Sequence, residues 1–272
     1  MTETSHRTAL ITGASSGIGA EFAHQLAARG YDLILVARRE ERLEELCNTV
    51  TSKFGVRAEI LPADLADMTG IQHVIQVITE TSDLELLVNN AGLWFKGRFY
   101  RADPEKELTL MQVHMVAPVL LCRAALPGMV ARKSGWIINV SSLAGFISTR
   151  SVLYDSSKTF LIRFSEILQA ELRDTGVKVQ ALCPGFISTE FFDTPEFTNF
   201  SRQRIPRYLW VTSQQVVNAS LAAMSGQKVV CIPGNIYKII GFLARNSFTA
   251  GFINLLARIL FRRPRRLIDI GG

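Results

Sequence analysis

Seven short runs rich in valine, isoleucine and leucine alternate along this chain with segments of helical length. That alternation leaves it few ways to fold. The runs are Thr8–Thr12, Leu33–Ala37, Arg57–Leu61, Leu84–Asn89, Trp136–Ser141, Lys178–Cys183 and Val229–Ile232. Between them lie Gly17–Arg29, Glu40–Phe54, Pro104–Arg132, Tyr154–Leu172 and Thr212–Met224. Such alternation predicts an α/β fold, a seven-stranded parallel sheet doubly wound with helices on both faces. Right-handed crossovers then open a crevice at the carboxyl ends of the strands, where ligands bind. With 48% hydrophobic and 20% charged residues in 272, the chain has material for one large core. No linker or repeat divides it, so residues 1–235 read as one domain and 236–272 as its C-terminal extension.

The loops expected at that crevice carry the informative residues. Thr12-Gly13-Ala14-Ser15-Ser16-Gly17-Ile18-Gly19 follows the first strand and opens a helix. Gly13 permits a tight turn, Gly17 lets backbone approach a pyrophosphate, and Gly19 lets helix pack on strand. Ser15, Ser16 and Ile18 complete this candidate phosphate-binding turn. The second strand ends at Ala37-Arg38-Arg39. An acidic residue there would bind the ribose hydroxyls of NAD; two arginines suit a 2′-phosphate instead, so NADP(H) is favoured over NAD(H). The alternative partners for Arg38 and Arg39 are the glutamates from Glu41 to Glu45. After the third strand, Asp64 either accepts a bond from an adenine amino group, with Leu65 beside it, or caps the next helix. Asn89-Asn90-Ala91-Gly92 ends the fourth strand with small residues that let a cofactor come close. After the sixth, Pro184-Gly185 stops the strand and wraps the chain over the crevice. Ile187 lies on that wrap, and Thr189 is placed to reach a carboxamide.

One pair has acid–base character. Tyr154 and Lys158 stand four apart at the start of a helical pattern, so both face one way, about 6 Å apart along the axis. A free phenol has a pKa of about 10, and an ammonium nearby favours its phenolate. The pair suits a substrate oxygen that gains or loses a proton. Ser142, at the end of the fifth strand and twelve residues before Tyr154, offers a hydroxyl to the same oxygen.

Taken together, TGASSGIG (12–19), NNAG (89–92), the Ser141-Ser142 pair, Tyr154-x-x-x-Lys158 and Pro184-Gly185 resemble the short-chain dehydrogenase/reductase family, over about residues 7–235. The resemblance implies a Rossmann-type domain that transfers hydride between a nicotinamide and an alcohol or ketone carbon. In it Tyr154 would be the general acid–base. Lys158 would lower its pKa and hold the nicotinamide ribose, and Ser142 would bind the carbonyl oxygen. Arg38 looks like the family's NADP-preferring type. Two departures stand out. His114 occupies the place where the family carries an asparagine whose main-chain carbonyl helps relay protons to the lysine. The imidazole then either has no catalytic part or works itself, and the local helix kink is in question. Ser142 is also one residue closer to Tyr154 than usual, read as a deletion in the loop from Phe146 to Val152. Ser141 has the usual count but points to the other side of the strand.

Residues 94–100 and 186–210 hold 11 aromatics in 32 positions: Trp94, Phe95, Phe99, Tyr100, Phe186, Phe191, Phe192, Phe197, Phe200, Tyr208 and Trp210. They either line a pocket for a bulky apolar ketone or alcohol, or pack these segments onto the body. The expectation is an NADPH-dependent carbonyl reductase; the alternative is a regulatory or scaffold protein of the same fold with little turnover. Four scattered cysteines, no signal-peptide pattern and no run of about 20 apolar residues suggest a cytoplasmic protein without a metal site. The extension carries Lys238, Arg245, Arg258, Arg262, Arg263, Arg265 and Arg266 against Asp269, the whole net charge of +6. Phe252, Leu255, Leu256, Ile259 and Leu260 form an apolar stripe beside those cations. The stripe suits a peripheral contact with an anionic membrane, or packing against the body or a second subunit of a homodimer or homotetramer. No base-reading motif accompanies the charge, which argues against nucleic acid.

Overall fold

The computed structural model describes residues 7–95, 97–149, 151–190, 205–226, 228–246, 248, 249, 251, 253 and 255. In chain order the elements are β1 (Thr8–Thr12), α1 (Gly17–Ala27), β2 (Asp32–Ala37), α2 (Glu40–Phe54), β3 (Ala58–Pro62), α3 (Met68–Glu80), β4 (Leu84–Asn89), α4 (Pro104–Met111), α5 (Ala117–Ala131), β5 (Gly135–Val140), α6 (Val152–Glu171), β6 (Val177–Leu182), β7 (Phe186–Ile187), β8 (Trp210–Val211), α7 (Ser213–Ala223), β9 (Val230–Cys231) and α8 (Asn235–Arg245). All seven expected strands join one sheet in the order β3-β2-β1-β4-β5-β6-β9, every pair parallel. The order reverses between β1 and β4, the switch point of a doubly wound sheet.

Strand periodicity sorts the core into two layers. Ala9 and Ile11 of β1 face one side, with Phe22 and Leu26 of α1, Leu43 and Val50 of α2 and Val216 of α7. Leu10 faces the other, with Ile71 and Val74 of α3, Leu121 and Met129 of α5 and Leu168 of α6. β1 is buried along its whole length, as a central parallel strand requires. β3 runs one residue later than predicted and ends in Pro62. It is an edge strand, so the missing N–H of Pro62 removes no ladder bond.

The helix expected over Pro104–Arg132 is interrupted. α4 gives way to a π-helical turn at Gln112–Val116 before α5 continues. Pro118 explains the break, because it lacks the N–H that would bond the His114 carbonyl in a regular helix. The kink is therefore present with histidine at this position. Its most apolar 18-residue stretch has a mean hydropathy of 1.6, so the composite segment is long and apolar enough to cross a membrane, contrary to the sequence expectation. Here Leu110, Val113, Ala117, Leu121, Cys122, Ala125 and Met129 are buried, most of them in the second core layer.

α8 was not anticipated. Its Tyr237 is buried, accepts from the Phe186 N–H at 3.1 Å and donates to the Leu209 carbonyl. A Cβ on Gly185 would sit 2.1 Å from the Tyr237 ring, so only glycine lets the wrap after β6 lie against α8. Most of the apolar stripe and the arginines from 258 to 266 lie outside the described residues; Leu255 is exposed and Ile253 buried. The four cysteines are free thiols.

Candidate active site

The loops after β1 and β4 are hydrogen-bonded into one floor at the switch point. The Thr12 hydroxyl accepts from the N–H groups of Asn90 (2.9 Å) and Ala91 (3.0 Å) and donates to the Val88 carbonyl (3.3 Å). The Asn90 amide returns to the Thr12 and Gly13 carbonyls at 2.9 and 3.1 Å. Asn90, expected at the cofactor, thus acts through its side chain as a buttress of the glycine turn. Gly13 and Gly17 have φ of 65° and 59°, which a side chain would strain. Ser16 stands at the N-cap of α1 without a side-chain cap bond, leaving the first-turn N–H groups uncapped, an arrangement that suits phosphate.

Arg38 and Arg39 diverge. Arg39 folds back over the glycine turn: Nε and Nη2 donate to the Ser15 hydroxyl at 3.2 and 3.0 Å, and Nη2 to the Ser16 hydroxyl at 3.0 Å. Arg38 points to Asp64, 3.9 Å away. The glutamate pairing considered from sequence is replaced by these contacts. Asp64 does not cap α3; its carboxylate accepts from the Ala66 N–H at 3.0 Å, and Asp67 is the cap. Leu65 is a core residue, so only its main chain is left to face a cofactor. Across the crevice, Thr189 packs on the turn, its Cγ2 lying 3.3 Å from where a Gly17 Cβ would be. Ile187 sits in β7, paired with Val211. The Pro184 carbonyl accepts from the Leu143 N–H at 2.8 Å, tying the wrap to the loop after β5.

That loop separates the two serines. The Ser141 hydroxyl is buried and donates to the Lys158 carbonyl at 2.7 Å, a structural bond to α6. Ser142 accepts from the Ala144 N–H at 3.1 Å and is hydrogen-bonded to the Tyr154 phenol. Successive residues of an extended strand point to opposite sides, so Ser142 joins Tyr154 despite its short spacing. The Asp155 carboxylate holds the shortened loop, accepting from the N–H and hydroxyl of Thr149 at 2.7 and 2.6 Å.

His114 is buried and linked on both ring nitrogens. Nε2 faces the Leu93 N–H at 3.0 Å, so this nitrogen accepts and the neutral ring carries its proton on Nδ1. Nδ1 then donates to the Ser157 hydroxyl at 2.9 Å, and Ser157 donates to the Tyr154 carbonyl at 2.8 Å. Burial, with the Lys158 charge adding to it, holds the His114 pKa well below the usual range. The imidazole is a neutral brace between the loop after β4 and the first turn of α6. Ser157 was not singled out from sequence, though it lies three residues after Tyr154, where a hydroxyl reaches back to that carbonyl. Asn139 and Ser165 were missed too, and Asn89, read with Asn90 as part of the cofactor loop, is buried beneath it. Asn89 donates to Asn139 at 2.8 Å and Asn139 to Ser165 at 2.9 Å, a buried ladder joining β4, β5 and α6.

Lys158 is 5% exposed and donates from Nζ to the Val140 carbonyl at 3.1 Å; Nζ lies 5.6 Å from the Tyr154 ring centre. Burial lowers Lys158 to about 8 and raises Tyr154 to about 12, Ser142 pulling the phenol partly back. The lowering of the phenol expected from the ammonium is not found: burial raises it, the Asp155 charge adds to that, and the bond to Ser142 is what lowers it. A lysine that sheds its proton at about 8 when folded, but at 10.5 when unfolded, destabilises the fold below pH ~8. Between those values the unfolded chain binds more protons, so this group's contribution to stability rises with pH. The buried charge costs on the order of 3 kcal/mol. Lys158→Met is therefore expected to resist urea better than wild type near pH ~7, with the advantage shrinking by pH ~10. A gap independent of pH would show that Lys158 titrates as an ordinary lysine.

The aromatic wall is only partly realised. Phe99, Tyr100 and Tyr208 are 55%, 68% and 71% exposed. Phe186 and Trp210 pack on each other at 5.6 Å across β7 and β8. The Trp94 indole donates to the Ser151 hydroxyl at 3.1 Å, beside α6. Phe191, Phe192, Phe197 and Phe200 lie outside the described residues. Among the described residues there is no cluster able to hold a metal ion.

The residues present fit a nicotinamide dinucleotide: an uncapped helix start behind a glycine turn, arginine rather than carboxylate beyond β2, and an acid–base pair across the crevice. Comparison with known proteins agrees. The family profile described as short chain dehydrogenase matches residues 7–196. A very-long-chain 3-oxoacyl-CoA reductase of Anas platyrhynchos is 32% identical over 209 residues, 72% of this chain and 67% of that protein. A short-chain dehydrogenase from Sphingobium yanoikuyae, solved with NADPH, superposes with a TM-score of 0.79 at 29% identity, covering 97% of this chain and 99% of that one. A bulky-bulky ketone specific alcohol dehydrogenase from Comamonas testosteroni gives a TM-score of 0.76 at 26% identity, over 99% and 98%.

Proposed function

As the chain belongs to the short-chain dehydrogenase/reductase family and is an NAD(P)-dependent oxidoreductase, we propose that it is an NADPH-dependent carbonyl reductase acting on a bulky apolar ketone. The observation that carries the reading is the convergence of Ser142, Tyr154 and Lys158 beside the glycine turn. The turn from Gly13 to Gly19 and the start of α1 hold the pyrophosphate. Arg38 and Arg39 hold the 2′-phosphate, since Ala37 leaves no carboxylate for the ribose hydroxyls. Lys158, close to Gly92, holds the nicotinamide ribose. The bound nicotinamide supplies a hydride to the carbonyl carbon. Ser142 donates a hydrogen bond to the substrate oxygen and Tyr154 gives that oxygen its phenolic proton, completing the alcohol. A phenol raised to about 12 is protonated at neutral pH, the state reduction requires. His114 and Ser157 keep the first turn of α6 at the crevice. The substrate class is supported by the names of two relatives, a very-long-chain 3-oxoacyl-CoA reductase and a bulky-bulky ketone specific alcohol dehydrogenase.

A panel of bulky and small ketones, followed by nicotinamide absorbance with NADPH and NADH in parallel, tests the reaction. Arg38→Ala and Arg39→Ala test the cofactor. A charged hydrogen bond worth about 1.5–3 kcal/mol is at stake, roughly 10- to 150-fold in NADPH affinity, with NADH little changed. Equal losses for both dinucleotides would remove the 2′-phosphate assignment.

A further inference from the structure

The arginine that lies on the glycine turn already has an anion at its other edge. Glu190 follows Thr189 on the far side of the crevice and reaches back across it. Its Oε1 accepts from Nη1 of Arg42 at 2.6 Å, and its Oε2 from Nη1 of Arg39 at 3.4 Å. The Arg39 guanidinium is thereby shared between the Ser15 and Ser16 hydroxyls on one edge and a carboxylate on the other. The Arg42 guanidinium, with Arg39 behind it, holds the Glu190 carboxyl below its usual range, so it is ionised at neutral pH. All three side chains are about half exposed. An ion pair of this kind is weak and is readily exchanged for a stronger anion.

We propose that Glu190 is a built-in competitor for the cofactor's 2′-phosphate and so a determinant of NADPH-over-NADH selectivity. The inference rests on the assignment of Arg39 to that phosphate. A phosphate arriving at the guanidinium meets a carboxylate of the same sign, and one must leave Nη1 for the other to bind. A dinucleotide without the phosphate meets no such competition. Because Thr189, the neighbour of Glu190, packs on Gly17, displacing the carboxylate also loosens one attachment of the segment from Phe186 to Glu190 to the glycine turn. Binding of the 2′-phosphate and the position of that segment are thus coupled, and the coupling is reciprocal.

The test titrates the full-length protein with 2′,5′-ADP and 5′-AMP, and with NADP+ and NAD+, following intrinsic fluorescence or heat. Glu190→Gln keeps the side chain's size and removes its charge. It is expected to tighten 2′,5′-ADP and NADP+ about three- to tenfold and to leave 5′-AMP and NAD+ within about twofold. Arg42→Gln frees Glu190 to pair with Arg39 and is expected to weaken 2′,5′-ADP, an effect that disappears in the Glu190→Gln/Arg42→Gln protein. Unchanged or weaker 2′,5′-ADP binding in Glu190→Gln overturns the proposal, the second outcome making Glu190 a support for Arg39. Failure of the underlying assignment looks different: Arg39→Ala would then bind 2′,5′-ADP as wild type does. If Arg39→Ala loses affinity while Glu190→Gln does nothing, the competitor role alone is wrong.

Discussion

Tyr154→Phe is expected to lower turnover about 10²- to 10⁴-fold, the range set by loss of a positioned general acid, while dinucleotide affinity stays within about twofold. The variant loses one oxygen and its bond to Ser142. The ring remains, and with it the edge contact to His114 at 5.7 Å and the position over which the Lys158 ammonium sits. The bond from Ser157 to the residue 154 carbonyl is a main-chain contact and does not depend on the hydroxyl. The floor of the crevice is made by Thr12, Asn90 and the glycines, none of which touches the phenol through a contact the substitution removes. Binding and chemistry should therefore separate. Single-turnover absorbance gives the chemical step, and fluorescence titration gives the affinity. A phenylalanine enzyme retaining a tenth of wild-type turnover would mean that another group delivers the proton.

The second large effect is expected from Gly19→Ala. A Cβ at this position would lie 2.2 Å from the Gly13 carbonyl oxygen and 2.6 Å from the Asn90 amide nitrogen. The first obstacle is backbone, which cannot swing aside as a long side chain can. The second is the buttress that holds the Thr12 and Gly13 carbonyls. Relief requires α1 to move off the turn, which separates the helix start from the glycine loop. Overpacking of this kind costs about 1–3 kcal/mol of stability. Dinucleotide affinity should fall at least ~100-fold, since several hydrogen bonds of about 1 kcal/mol are lost together. Gly30→Asn is the control. Gly30 also has a positive φ, 78°, but nothing lies within 4 Å of its Cβ position, and asparagine tolerates that backbone. It should bind as wild type does. Native affinity in Gly19→Ala would show that α1 moves freely and that the close approach has no functional weight.

Much of the architecture was legible because it depends on local pattern. Strand runs such as Leu84–Asn89 and the amphipathic stretch Glu40–Phe54 carry their own periodicity, and both match the structure residue for residue. α8 was not read from the sequence, and α3 was expected only as a helix following Asp64, without bounds, although Ile71, Val74 and Ile78 form a clear stripe. The break at Gln112–Val116 was legible in principle, from Pro118. The sequence presented it as a question about His114, whereas the missing N–H four residues later decides it.

What the sequence alone determined is the set of groups that meet the crevice and their order. Glycine at positions 13, 17 and 19, the four-residue interval from Tyr154 to Lys158, and arginine in place of an acid after Ala37 are properties of spacing and residue type. The doubly wound parallel sheet follows from alternation and handed crossovers, while the strand order β3-β2-β1-β4-β5-β6-β9 is read from the structure. Only the tertiary structure decided which of two adjacent serines meets the phenol, which of two adjacent arginines lies on the glycine turn, and which ring nitrogen of His114 carries the proton. It also turned several aromatics of the expected wall outward or onto each other. The physical reason is common to all of these. Each depends on how a side chain is oriented and bonded, and that is set by partners remote in the chain. Asn90 reaches Thr12 across 78 residues, and Glu190 reaches Arg42 across 148. Local sequence specifies the backbone that brings such partners near; hydrogen bonds and charge between them then select the orientation.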